Sequence, residues 1–140
     1  MRVCGIVGVG IIVMVLSGCS AELLTLDVGT CFDDPDKSDL VASWDVPVVD
    51  CATPHDNEVY GNEDLAGDEY PGSDTDYWAG QVCLAAFEGY IGVPYSASIY
   101  EFSWFAPSNE SWADGDREVI CFVYDINLEK MTGSIKGVGQ

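Results

Sequence analysis

The chain has 140 residues, with 24 Asp and Glu against five Lys and Arg and a single histidine, for a formal net charge of −19. Its length suits one small domain, and so acidic a surface excludes the ordinary electrostatic modes of binding to DNA, RNA and anionic lipid headgroups. Four Trp, seven Tyr and five Phe supply material for a core, although a domain this small keeps a narrow margin of stability.

Met1-Arg2 is a short positive start, and residues 3–16 are almost wholly apolar. That run is shorter than the roughly 20 residues of a membrane-spanning helix and fits the apolar core of a secretory signal. It ends in Leu16-Ser17-Gly18-Cys19, which resembles a bacterial lipobox. The resemblance implies cleavage after Gly18 and acylation of Cys19. Residues 1–18 then form a lipoprotein signal peptide, 19–25 a lipidated tether and 26–140 the folded domain. Two acyl chains, at about 0.8 kcal/mol per buried methylene, hold a protein stably on a membrane. The mature chain keeps four cations, Lys37, Arg117, Lys130 and Lys136, against every one of the 24 carboxylates.

Of six cysteines, Cys4 leaves with the signal peptide and Cys19 takes the lipid, so Cys31, Cys51, Cys83 and Cys121 remain. Four cysteines in an exported domain make two disulfides, with three possible connectivities. No Cys-x-x-Cys is present, so neither a zinc knuckle nor a thioredoxin-type pair is indicated. Cys31–Cys51 and Cys83–Cys121 is the expected pairing. Each closed loop constrains the unfolded chain by roughly 3–4 kcal/mol in the chain-entropy model.

Residues 26–32 read as a first extended segment, and 33–39 as a charged turn. Residues 44–49, with Pro47 inside, suit a sheet edge. Val59-Tyr60 is a further short extended piece, and 62–76 reads as an acidic loop with a Pro71-Gly72 turn. Residues 77–90 form the one good helix, with N-cap candidates at 73–76 and Gly89, Gly92 and Pro94 marking its end. Trp78, Val82, Ala86 and Tyr90 recur at four-residue steps, with Leu84 and Phe87 beside them and Cys83 near Phe87 and Tyr90 on the same broad apolar stripe, which predicts that this stripe is the buried face. Residues 98–105 read as a strand placing Tyr100, Phe102 and Trp104 on one face, as core rather than as a sugar-stacking platform. Residues 118–126 alternate with apolar residues on both sides, so this strand is central, and Cys121 on a core-facing side can reach Cys83 on a helix packed across the sheet. Residues 131–135 suggest an edge strand. The fold class is therefore α+β: a small antiparallel sheet with one main helix on one face, stapled by disulfides.

The lone histidine stands in Pro54-His55-Asp56-Asn57-Glu58-Val59. A catalytic triad could draw on Ser98, Ser103, Ser108 or Ser111, but no Gly-x-Ser-x-Gly elbow exists. Zinc would need more histidines or free thiols. The architectural reading has a mechanism: Pro54 fixes the backbone, and His55 and Asp56 hydrogen-bond neighbouring main chain to turn it toward Val59. Arg117, at the base of a strand, is expected to grip a carboxylate bidentately. The stretch from Asp34 to Asp45 faintly echoes a calcium loop but lacks the required Gly and Glu. The group Glu63, Asp64, Asp68, Glu69, Asp74 and Asp76 could hold divalent cations loosely. No metal site, cofactor or catalytic residue is assigned.

The order of landmarks resembles the septum-formation domain family of actinobacterial envelope proteins. The landmarks are Gly29-Thr30-Cys31-Phe32, the Pro-His-Asp-x-Glu-Val motif after Cys51, Tyr70-Pro71-Gly72, Cys83, Trp112 to Cys121 with Gly-Asp-Arg, and Thr132-Gly133-Ser134. The resemblance covers residues 26–137. It implies an exported or membrane-attached domain tied to division-septum or cell-wall processes, with no catalytic residues. The sequence reading is thus a non-enzymatic lipoprotein on the outer face of the cytoplasmic membrane. Its partners would be the membrane through the lipid, and an envelope or division protein or the cell wall. A cation- or ligand-binding envelope domain is the alternative, and a cell-wall hydrolase a weaker one.

Overall fold

The computed structural model describes residues 23–35 and 46–140. The signal run, Cys19, Trp44 and most of the calcium-like stretch lie outside the described residues. Five strands form one antiparallel sheet: β1 (Cys31–Phe32), β2 (Val48–Val49), β3 (Asn57–Asp64), β4 (Tyr100–Phe105) and β5 (Glu118–Asp125), in the order β2-β1-β3-β5-β4. Helix α1 (Thr75–Ile91) packs on one face, and a short helix α2 (Asn109–Ala113) connects β4 to β5. Among the described residues no helix is long and apolar enough to cross a membrane.

β5 lies between β3 and β4, so both of its edges are paired, and both of its faces are covered by apolar clusters, which its two-sided apolar alternation requires. Val119, Cys121 and Val123 join the core under α1 with Tyr60, Phe87 and Tyr90. Ile120 and the partly buried Phe122 face the other way, onto Phe32, Phe105, Val59 and Leu26 of the N-terminal segment. Phe105 and Phe122 stack at 4.9 Å there, with Phe32 edge-on to Phe122 at 5.3 Å. Opposite, Tyr60, Phe87, Tyr95 and Phe102 meet at centroid distances of 5.0–5.9 Å for Tyr95–Phe102, Phe87–Tyr95 and Phe87–Phe102. Tyr100 is a core residue, as expected, and Phe102 and Trp104 are partly buried against the same cluster.

Both disulfides have the expected connectivity. Cys31–Cys51 ties β1 to the turn after β2, with Cα atoms 5.2 Å apart, and Cys83–Cys121 ties α1 to β5 at 5.5 Å. The second is fully buried between helix and sheet.

The buried face of α1 keeps Cys83, Phe87 and Tyr90 of the expected stripe, with Val82 and Ala86 partly buried, and departs from it at Trp78 and Leu84. Thr75, Ala79, Cys83, Phe87, Tyr90 and Ile91 point inward, whereas Trp78 and Leu84 are exposed. Small residues face the sheet because helix and strand approach closely: a Cβ on Gly61 would sit 3.4 Å from the Cβ of Ala86. Large side chains at the contact would hold the two elements apart. The helix is entered through a 3-10 turn, Gly72–Asp74, where Thr75 Oγ1 donates to the Gly72 carbonyl at 2.8 Å. It ends at Gly92, whose φ of 95° is the left-handed C-cap geometry that glycine adopts without a Cβ clash.

Other expectations change at the edges. β3 runs for eight residues through what reads as the start of an acidic loop. β1 and β2 are only two residues each. Residues 131–135 make a single bridge, His55 to Met131, rather than a strand. A bulge between Val59 and Gly61 breaks the β3–β5 register, so Tyr60 and Gly61 both turn toward α1. α2 follows a capping box in which Ser108 Oγ accepts from Ser111 N–H and Ser111 Oγ accepts from Ser108 N–H, both at 3.0 Å.

Candidate functional site

The Pro-His-Asp-Asn-Glu-Val motif runs from the Cys51 turn into β3. That turn is shaped by Asp50, whose Oδ1 accepts from Ala52 N–H at 2.9 Å and whose carbonyl accepts from Thr53 N–H and Oγ1–H at 2.9 and 2.7 Å. Pro54 is exposed, and His55 next to it is fully buried. His55 Nδ1 donates to the Thr53 carbonyl at 2.8 Å, since a carbonyl can only accept. Its backbone exchanges two hydrogen bonds with Met131, at 2.9 and 2.8 Å, and Gly133 N–H reaches the Cys51 carbonyl at 2.7 Å. One further segment, residues 131–133, is thereby laid against the motif. Nε2 is buried without a protein hydrogen-bond partner among the described residues.

Asp56 works outward. Its Oδ2 accepts from Asp34 N–H at 3.0 Å and from Lys130 Nζ at 3.1 Å, while Lys130 also meets Asp33 Oδ1 at 2.6 Å. The hydrogen bond from Lys130 holds the Asp33 carboxyl below the usual carboxylate range, and the same bond raises the Lys130 ammonium.

Glu58 was not singled out by sequence reasoning. It is fully buried, and its side chain accepts three hydrogen bonds: from Tyr90 Oη at 2.7 Å and Ser134 Oγ at 2.6 Å on Oε1, and from Ile135 N–H at 2.9 Å on Oε2. Strand β3, the end of α1 and the C-terminal segment therefore converge on one carboxyl group. Burial, then the hydrogen bond to Glu58, pushes the Tyr90 hydroxyl well above the usual phenol range. Tyr60, two residues along β3, donates to the Cys83 carbonyl of α1 at 2.9 Å, and burial likewise raises its hydroxyl. A signal for Glu58 was available: a lone carboxylate just ahead of Val59-Tyr60 is a polar group in a segment destined for the interior, and such a group must find donors.

Cys31, His55 and Glu58 each offer a ligand atom within 4.8 Å of the others. The donor set does not suit a metal in the oxidised protein. The Cys31 sulfur is bonded to Cys51, so it is no thiolate, and both Glu58 oxygens already accept hydrogen bonds from protein donors. The six acidic loop residues form no three-ligand cluster among the described residues. Nearby, Glu118 is raised above the usual carboxylate range, chiefly by burial and then by the charges of Asp64 and Asp116.

Arg117 departs from expectation. Among the described residues it grips two carbonyls rather than a carboxylate, donating from one guanidinium nitrogen to Trp112 and Asp116 at 2.8 and 2.7 Å, and it lies 3.7 Å over the Trp112 ring. It closes the α2–β5 turn and stacks on a buried indole. A separate cleft of about 290 Å³ opens beside the start of α1, lined by Tyr70, Ser73, Asp76 and Trp104 among others.

The sequence profile of the family described as septum formation matches residues 20–135. The chain belongs to the septum-formation family. It is 32% identical over 116 residues to proteins named "Putative lipoprotein LppN" in Mycobacterium tuberculosis and in Mycobacterium bovis. In each case the match covers 81% of this chain and spans 63% of the length of the relative. No solved structure matches.

Proposed function

We propose that this septum-formation domain is an envelope lipoprotein, acylated at Cys19 and held on the extracytoplasmic face of the membrane, with an interaction or scaffold role and no catalytic one. The family match and the name of the mycobacterial relatives support an envelope lipoprotein, and Leu16-Ser17-Gly18-Cys19 supplies the attachment chemistry. One observation carries the non-catalytic reading: His55 and Glu58, the groups best suited to acid–base work, are both fully buried. Their polar bonds join the motif to the Cys51 turn, α1 and the C-terminal segment. A general base must come within hydrogen-bond reach of a substrate proton, and neither group is accessible to one.

Metabolic labelling with an alkynyl fatty acid tests the anchor. The wild-type chain is expected in the membrane fraction and labelled, and Cys19→Ala unlabelled and not shortened by removal of residues 1–18. A labelled Cys19→Ala protein would refute the attachment site. For the role, His55→Gln and Glu58→Gln should lose partner recovery from membranes only in proportion to lost folding. Turnover of peptidoglycan by wild type, abolished by His55→Gln in a protein with unchanged melting temperature, would overturn the non-enzymatic reading.

A further inference from the structure

In a chain dense with carboxylates, the 17-residue α1 carries two charged residues, Asp76 and Glu88. Its buried face is made of small and aromatic residues with Ile91, and its outer face sets exposed Tyr77, Trp78, Leu84 and Ala85 among the polar Gln81, Asp76 and Glu88. Tyr77 is 60% exposed, Trp78 51% and Leu84 42%, with exposed Ala85 and Gln81 between them. Tyr77 and Trp78 pack edge to face at 5.0 Å, each covering part of the other. Large apolar side chains gathered exposed on one helix face mark contact sites.

The first turn of this helix opens into the cleft that contains Asp76 and Trp104. The indole lies over Gly80, where a Cβ would come within 3.2 Å of the ring, and its Nε1 faces Asp76 Oδ1 at 3.4 Å. An aromatic wall beside a carboxylate is the chemistry that receives an organic cation. At about 290 Å³ the cleft is just below the roughly 300–1,000 Å³ of pockets for drug-sized ligands, so it suits one long side chain rather than a cofactor.

Charge selects the occupant. A second copy would bring another net charge of −19 onto the first, and an anionic membrane is disfavoured for the same reason. We infer that the outer face of α1, together with the Asp76–Trp104 cleft, is a docking surface for a protein segment whose apolar strip is bordered by lysine or arginine, with one of those cations seated in the cleft. This rests on the interaction role proposed above and specifies the surface that performs it. Aromatic residues at the centre of a contact carry most of its energy, which gives Trp78 the largest share.

The test uses the mature chain from residue 19 with Cys19→Ala, isotope-labelled and oxidised, so that it carries neither the signal run nor the lipid. The probes are a synthetic amphipathic peptide of leucine and lysine, its leucine–glutamate counterpart, and oligolysine. The leucine–lysine peptide should perturb the Trp104 indole N–H and amides along α1, and the leucine–glutamate peptide should not bind. Trp78→Ser with Leu84→Gln leaves the charge unchanged and should weaken leucine–lysine binding roughly tenfold or more, with oligolysine binding and melting temperature unaltered. Equal affinity of the double variant, or perturbations confined to the acidic stretch at residues 63–69, would overturn the surface. So would a concentration-dependent dimer that the double variant abolishes. In cells, a photo-crosslinking phenylalanine at Trp78 should capture a partner with a basic-bordered apolar segment. Capture of a partner only from Gly115 would leave the interaction role standing and refute this surface.

Discussion

Replacing Glu58 by alanine withdraws the acceptor for three donors at once. Ser134 is exposed and turns to water, but Tyr90 Oη and Ile135 N–H are buried and are left without a partner. An unsatisfied buried polar group costs about 1–3 kcal/mol, so the two together cost roughly 2–6 kcal/mol. That is a large fraction of the roughly 5–15 kcal/mol that holds a domain together. Tyr90→Phe removes only one donor and leaves Glu58 two, so it should cost about 0.5–1.5 kcal/mol. Urea unfolding of the oxidised proteins, followed by far-ultraviolet circular dichroism, measures both. The ordering is the sharper test, because it depends on which groups are stranded. If Glu58→Ala is no worse than Tyr90→Phe, the carboxyl group does not gather these three segments and the account of the motif fails.

Removing the buried staple by Cys83→Ala with Cys121→Ala should cost roughly 4 kcal/mol for its 38-residue separation, against roughly 3 kcal/mol for Cys31→Ala with Cys51→Ala and its separation of 20. Chemical unfolding of the two double variants compares them. Lys130→Met should lower stability at neutral pH by removing both carboxylate contacts. Asp33 is depressed below 3.8, so this contribution is present above that value and lost as pH falls through the lower folded value. The melting temperatures of variant and wild type should therefore converge in acid, and a gap that widens there would contradict the linkage. Leu128 holds a φ of 59° with its side chain 78% exposed, a conformation asparagine tolerates better. Leu128→Asn should raise stability by up to about 1 kcal/mol, and a loss on thermal unfolding would show that the leucine makes a contact worth more than its strain.

Where a single periodicity governs burial, the sequence was readable. Residues 100–105 and 118–125 alternate because each strand has two distinct faces, and both strands form as expected. The limits of α1 followed from turn formers before it and Gly92 after it. Its orientation followed in part: Cys83, Phe87 and Tyr90 face the core, but hydrophobicity ranks Trp78 and Leu84 above Ala79 and Thr75, while close approach to the sheet rewards small volume. β3 was largely hidden for a related reason. Asn57, Glu58 and Asn62 are polar, yet they lie in a strand whose interior is satisfied by side-chain hydrogen bonds from or to segments distant in sequence. In the motif, His55 and Asp56 were legible as turn-forming residues. Glu58 was not, since its donors come from positions 90, 134 and 135. Arg117 was read from its charge alone, and carbonyls and an indole satisfied its planar fork instead.

The sulfur atoms joining α1 to β5 belong to residues with no solvent exposure at all. Thiol–disulfide exchange requires an attacking thiolate to reach a sulfur, so no oxidising enzyme can make this bond once helix and sheet have closed over it. The order of maturation after export is thereby constrained, with oxidation at 83 and 121 preceding final compaction. The same shielding then protects the finished bond from reductants that the more peripheral bridge at Cys51 would meet first.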